Sequence, residues 1–236
     1  KPRVSGEISI DDVAQAIRPD TVLISIMHVN NETGAINDVY EIARLAESKG
    51  VLFHIDAAQS AGKLSLDTSL LRADMISVCA HKIYGPKGIG ALYVRRQSNF
   101  ELPAQIHGGG HERGMRSGTL ATHQIAAMGE AFEIANQAMG EEQCSISELK
   151  SLFMERISGL ACVRVNGTFD RSISGILNIS FEGLDGQVLL SALPQLAISS
   201  GSACTSASMS PSYVLAAMGL SDALALSSLR FSFGRF

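Results

Sequence analysis

The chain has 236 residues, 46% of them hydrophobic and 18% charged, with a formal net charge of −4. That is enough apolar content for the core of one large domain or two small ones. No Lys/Arg run exceeds two residues, which argues against a nucleic-acid surface, and no apolar run approaches the ~20 residues that span a bilayer.

Four cysteines, Cys79, Cys144, Cys162 and Cys204, are scattered without a CxxC pair. They suggest neither a zinc site nor a disulfide framework and fit a reducing cytoplasm. Lys1 to Gly6 has no apolar core of a signal peptide.

In chain order, Ile10 to Ile17 reads as a short helix, with Asp11 as a cap and Pro19 after its end. Thr21 to Met27 is a buried strand that runs into the polar loop His28-Val29-Asn30-Asn31-Glu32-Thr33-Gly34. Val39 to Lys49 is an amphipathic helix closed by Gly50. Val51 to Ile55 and Met75 to Cys79 are short β-branched runs and read as buried strands. The order strand, helix, strand predicts a βαβ unit and a mainly parallel sheet.

A Gly-rich loop follows from Arg95 to Thr119. Thr122 to about Arg156 is helix-patterned, with a kink or break expected at Gly140. The domain boundary is placed there, giving residues 1–138 and 139–236. The second part alternates again. Strands are expected over Val163–Val165, Ile176–Phe181, Leu196–Ser199 and Leu229–Phe233, with helices over Gly186–Leu193 and Pro211–Met218.

The chemistry concentrates at two strand ends. One run ends at Asp56 and another just before His81-Lys82. In α/β sheets ligands bind at the carboxyl edge of the strands. A lysine amine there can form a Schiff base with the aldehyde of pyridoxal phosphate (PLP). A carboxylate can hold the pyridine nitrogen protonated. Lys82 is chosen over Lys87, which sits in the turn Gly85-Pro86-Lys87-Gly88. Asp67 and Asp74 read as solvated loop or cap residues. Cys79 and His81 lack the further ligands of a metal site.

Four segments in one order carry a resemblance. They are Asp56-Ala57-Ala58-Gln59-Ser60, His81-Lys82-Ile83-Tyr84-Gly85-Pro86-Lys87-Gly88, Gly108 to Thr119, and Ser200-Gly201-Ser202-Ala203-Cys204. Together they resemble the cysteine desulfurases of the NifS/IscS type. The resemblance implies an α/β fold of the PLP-dependent transferase type (fold type I, aspartate-aminotransferase-like), with a smaller α+β C-terminal domain. It also implies that Lys82 carries the cofactor, Asp56 faces its ring nitrogen, Gln59 donates to its phenolic oxygen and His81 contacts its phosphate. Cys79 stands where relatives have a phosphate-binding serine, and a thiol is the weaker donor.

Asn31 is placed by resemblance beside substrate and cofactor; an Asx turn is the other reading, and Asn30 fits that equally well. Thr119 matches a position that reaches the phosphate of a neighbouring subunit, which implies a homodimer; alternatively it caps the next helix. Arg230 is implied as the holder of the substrate carboxylate, with a structural salt bridge as the rival reading.

Cys204 lies in a tract of small residues, an exposed-loop composition suited to a travelling nucleophile. Cys144 and Cys162 read as structural. The implied reaction converts L-cysteine to L-alanine and leaves a persulfide on Cys204. Its sulfur would supply iron–sulfur cluster assembly on a scaffold protein, or tRNA thiolation. No resident metal is implied, although that persulfide could transiently ligate a nascent cluster. Rival readings are a selenocysteine lyase or another fold-type I PLP enzyme, or an inactive fragment or scaffold. Both ends read as cut, so a segment before Lys1 and a tail after Phe236 are expected, and the chain alone is expected to be weak or dead.

Overall fold

A computed structural model describes residues 1–96, 100–200 and 210–236. Its helices are α1 (Ile10–Ala16), α2 (Val39–Lys49), α3 (Thr122–Ile157), α4 (Gly186–Ala192), α5 (Tyr213–Ala217) and α6 (Asp222–Leu226). Its strands are β1 (Leu23–Met27), β2 (Leu52–Asp56), β3 (Met75–Cys79), β4 (Gly90–Val94), β5 (Val163–Val165), β6 (Ile176–Phe181) and β7 (Ser228–Ser232). Short 3₁₀ turns cover His81–Ile83 and Glu112–Gly114.

β1 to β4 form one sheet in that order, with β1, β2 and β3 parallel and β4 antiparallel at the edge. α2 crosses between β1 and β2. Asp38 caps it, accepting the Glu41 N–H at 3.0 Å, and Gly50 closes it in the left-handed region at φ +65°. Val39, Ile42, Ala43 and Ala46 of α2 pack on Phe53 and Ile55 of β2. Each fully buried large side chain contributes ~1.5–3 kcal/mol.

The sheet has one buried and one open face. Leu52, His54 and Asp56 alternate with the buried Phe53 and Ile55, and Leu23, Ser25 and Met27 of β1 are exposed. The strands over Thr21–Met27 and Val51–Ile55 were expected to be buried; each instead turns alternate residues to the open face, while Met75 and Ile76 of β3 are both buried. A polar ladder crosses that face. His54 Nδ1 lies 2.8 Å from Ser25 Oγ, and its Nε2 lies 2.7 Å from Ser77 Oγ.

β5, β6 and β7 form a second, antiparallel sheet. Leu177, Ile179, Leu229 and Phe231 are its core. α3 serves both parts. Ala131 and Ala135 pack on Ile83 in the first, and Phe153, Met154 and Ile157 pack on the second sheet. α3 runs unbroken through Gly140, so the expected break is absent. The 138/139 boundary falls inside this helix.

Other differences are local. Asp74 is buried: it accepts the Phe53 N–H at 2.8 Å and pairs with Arg95 at 2.5 Å. A carboxylate with those two partners is a structural clamp, not a solvated cap. Residues 196–199 form no strand. Only Ser199 bridges Arg230, its N–H donating to the Arg230 carbonyl at 3.3 Å and its carbonyl accepting at 2.6 Å. Pro211 precedes the N-cap Ser212 and so lies outside α5. Asp11 is inside the first turn of α1, whose N-cap is Ser9.

Candidate functional site

Parallel pairing puts Asp56, the last residue of β2, opposite Ser77 and next to the end of β3 at Cys79. The backbones lock there. Ala57 N–H donates to the Ser77 carbonyl at 2.9 Å, and His28 N–H donates to the Asp56 carbonyl at 2.9 Å. Asp56 Oδ1 accepts the Ala58 N–H at 2.9 Å, which fixes its carboxylate at the strand end. Gln59 is buried one residue further on.

β3 passes directly into the 3₁₀ turn that carries His81 and Lys82. The Ala80 carbonyl accepts the N–H groups of Ile83 and Gly85, both at 3.0 Å. Tyr84 closes the turn in the left-handed region at φ 65°, a conformation that costs a non-glycine residue ~1 kcal/mol or more. A side chain at Gly85 would meet Ala80 and Ala131 at 3.0–3.1 Å, so anything larger than glycine would push those neighbours aside by a few tenths of an ångström. Tyr84 is held from outside. Its hydroxyl accepts the Arg235 N–H at 2.6 Å, the Arg235 guanidinium lies 4.9 Å from its ring centre, and Arg235 pairs with Glu142 of α3. The turn that presents Lys82 is thereby tied to the chain's last residues and to the long helix.

Lys82 is half-buried and His81 is exposed beside it; Lys87 is exposed. A cavity of about 530 Å³ opens next to Lys82, lined among others by Lys63, His81, Tyr84, Glu142 and Arg235. Burial, and then the charge of Lys82, hold the Lys63 amine below its ordinary value. Lys63 was not foreseen, because its Gly62-Lys63 context carries no strand-end signal. Burial pushes the Cys79 thiol up, and the Lys82 N–H and ammonium act against that shift. Cys79 is therefore a neutral thiol near pH 7, and its Sγ donates to the Ala58 carbonyl at 3.8 Å.

The loop after β1 separates its two asparagines. Asn30 Oδ1 accepts the N–H groups of Glu32 and Thr33 at 2.9 and 3.0 Å, so Asn30 makes the Asx turn. That leaves the Asn31 side chain out of the turn. The Asn31 carbonyl accepts Arg230 Nη1 at 3.0 Å across the two sheets, and among the described residues the buried Arg230 Nε has no partner. Among the described residues Arg230 makes no ion pair. His28, at the root of the same loop, is buried with its Nδ1 unpartnered. Burial lowers its pKa to about 4, against the opposing pull of Asp38, so its ring is neutral.

Asp56, Gln59, Cys79, His81 and Lys82 are thus gathered at adjacent ends of β2 and β3, and Asn31 meets Arg230. Thr119 is exposed and stands two residues before Ala121, the N-cap of α3, so it does not cap that helix. Cys204 lies outside the described residues.

The donor set fits PLP. A fixed carboxylate, a lysine within a tight turn and a buried amide stand at one sheet edge. The neutral Cys79 thiol adds no charge against a phosphate. The unpartnered Arg230 Nε marks a guanidinium with donor capacity left over.

The aminotransferase class-V family profile matches residues 1–236. Enzymes of this family use pyridoxal 5′-phosphate. The chain is 55% identical over 235 residues to "Cysteine desulfurase IscS" of Tolumonas auensis, covering 100% of the chain and 58% of that protein. It is 56% identical over 235 residues to the protein of that name from Photobacterium profundum, with the same coverage. The chain therefore spans less than two thirds of the length of these relatives.

Among solved structures, a "NIFS-LIKE PROTEIN" superposes with a TM-score of 0.90 at 30% identity, over 100% of this chain and 62% of that one. The structure titled "SspA in complex with cysteine" superposes with a TM-score of 0.84 at 39% identity, over 100% and 65%. Sequence, fold and site geometry agree, and the chain belongs to the aminotransferase class-V family.

Proposed function

We propose that the protein carrying this chain is a PLP-dependent cysteine desulfurase. It converts L-cysteine to L-alanine and moves the sulfur to Cys204. The observation that carries this reading is the fixed Asp56 carboxylate and the Lys82 turn at the ends of paired strands β2 and β3. The relatives named cysteine desulfurase support it.

Asp56 would keep a proton on the cofactor's ring nitrogen, and Gln59 would donate to its phenolic oxygen. Lys82 would hold the cofactor through its aldehyde and would move a proton at the substrate's α-carbon. His81, with Cys79 as a weak donor, holds the phosphate, and Thr119 reaches that of a second subunit in a homodimer. Arg230 grips the substrate carboxylate with the donors that Asn31 leaves free, and Asn31 orients the bound amino acid. When bound, PLP stabilises negative charge at the substrate's α-carbon. The Cys204 thiolate then attacks the substrate sulfur. The S–S bond forms as the C–S bond breaks, and the β-carbon takes up a proton, so no external oxidant is needed.

The persulfide sulfur passes to an acceptor such as an iron–sulfur scaffold or a tRNA-thiolation protein. The division into a cofactor-binding part (1–138) and a small domain (139–236), and a cytoplasmic setting, belong to the same proposal. Among the described residues no helix is long and apolar enough to cross a membrane. The test is Cys204→Ser. Alanine formation collapses while the cofactor's absorbance stays; unchanged turnover overturns the reading.

A further inference from the structure

The loop Asn30–Gly34 receives four bonds from the C-terminal part of the chain: the Ile173 N–H donates to the Gly34 carbonyl at 2.9 Å, and the other three fall on residues 31 and 32. Arg230 Nη1 donates to the Asn31 carbonyl at 3.0 Å. Asn178 Nδ2 donates to the Glu32 carbonyl at 3.2 Å. The Ser212 hydroxyl donates to Glu32 Oε2 at 2.6 Å. Glu32 is 1% exposed, and Ser212 and Asn178 are also buried.

The Ser212 bond has a fixed direction. As N-cap of α5, its oxygen accepts the N–H groups of Val214 and Leu215 at 3.2 and 3.3 Å. Its proton is then left for Glu32. Asn178 is locked in its turn, since its Oδ1 accepts Asn166 Nδ2 at 2.7 Å, and that nitrogen also contacts Ser180 and Ser228.

These contacts share a location. Ser199, just ahead of the segment with Cys204, pairs in both directions with the Arg230 backbone, and Arg230 is bonded to Asn31. Ser212, just behind that segment, is bonded to Glu32. Both flanks lead back to two consecutive residues beside the site.

We propose that Glu32 is a positioning residue for sulfur transfer. Through Ser212 it holds one flank of the Cys204 segment against the loop that carries Asn31, while Arg230 and Ser199 hold the other. This rests on the reading that Cys204 takes the sulfur. Glu32 touches neither substrate nor cofactor; it sets where the two flanks sit relative to Asn31.

The test uses the PLP-loaded protein with Glu32→Ala and Glu32→Gln. Two readouts are followed: the cysteine-induced change in cofactor absorbance, and persulfide on Cys204 by mass mapping. Glu32→Ala keeps the absorbance change and loses persulfide formation about 10²-fold, the scale of a small misplacement of reacting groups. Glu32→Gln, which keeps an acceptor for Ser212, restores most of it. Independently of turnover, Glu32→Ala changes the alkylation rate of Cys204 and leaves those of Cys79, Cys144 and Cys162 unchanged. The proposal is overturned if Glu32→Ala forms persulfide at the wild-type rate. It is overturned equally if both readouts fall together, or if all four cysteines react faster. Absence of persulfide in the wild type would instead sink the desulfurase reading, and this inference with it.

Discussion

Arg230 on β7 donates through Nη1 to the backbone carbonyl of Asn31, 199 positions away in the chain, at 3.0 Å. The contact joins the antiparallel sheet to the loop at the carboxyl edge of the parallel one. It spends one donor of a planar fork and leaves the others for a carboxylate. Arg230→Lys keeps a donor for Asn31 and loses the fork. The expected result is a rise in KM for cysteine by ~10- to 100-fold, matching the ~1.5–3 kcal/mol of a charged hydrogen bond. Steady-state alanine formation checks it; an unchanged KM removes Arg230 from substrate binding.

Asp56 is fixed by the Ala58 N–H through one oxygen, and the proposed function gives the other to the cofactor ring. Asp56→Asn leaves the shape and removes the charge. Turnover falls by ~10²–10⁴-fold, in the range of lost proton-transfer catalysis, while some cofactor stays bound. Absorbance titration with PLP separates the two effects.

Cys79 donates only weakly to the Ala58 carbonyl, and its thiol is pushed up by burial. Cys79→Ser places a stronger donor at the position that the proposed function gives to phosphate binding. PLP binds more tightly by a factor of ~3–10, about 0.5–1.5 kcal/mol for one neutral hydrogen bond. Equilibrium dialysis of PLP measures it, and unchanged or weaker binding takes Cys79 away from the phosphate.

His28 gives a pH signature. Its folded pKa of about 4 lies below the ordinary 6.5. Between those values the unfolded chain binds the proton and the folded one does not. The stability that this difference contributes is present above pH 6.5 and is lost as pH falls toward 4. Urea midpoints from pH 7 to pH 4 show the loss, and His28→Asn flattens it. A variant with the wild-type slope would rule out His28 as the source.

The small sheet depends on aromatic packing. The Phe153 and Phe231 ring centres lie 4.8 Å apart, and Phe233 adds a contact at 5.6 Å. Phe231→Ala destabilises the protein by ~3–5 kcal/mol, with the cavity left behind adding to the lost transfer energy. Thermal unfolding checks the size; a change below ~1 kcal/mol would mean that the site collapses to fill the gap.

Much of this arrangement was legible in local sequence. β2 and β3 show as short apolar runs ending in Asp56 and Cys79, and α2 shows in its periodicity and Gly50. Lys82 was separable from Lys87 because Lys87 sits in the turn Gly85-Pro86-Lys87-Gly88, whereas Lys82 comes three residues after the end of β3. What the sequence hid is long-range. Asp74 looks like a loop residue until Arg95, 21 positions on, is brought beside it. Glu32 finds Ser212 across 180 positions. The continuity of α3 through Gly140 is a case of packing overriding propensity. A helical glycine costs ~1 kcal/mol against alanine, and α3 is anchored on both sides, by Ala131 and Ala135 before it and by Phe153 and Ile157 after it. α6 has five residues, too few for a periodic signal.

The central claim is that Lys82 is the lysine that binds PLP. Lys63 is the informative competitor, because it lines the same cavity and burial lowers the pKa of its amine. Borohydride reduction of the PLP-loaded protein, followed by peptide mass mapping, decides between them. The account predicts a pyridoxyl group on Lys82, with Lys63 and Lys87 unmodified. A pyridoxyl group on Lys63 or Lys87, with Lys82 untouched, would contradict it.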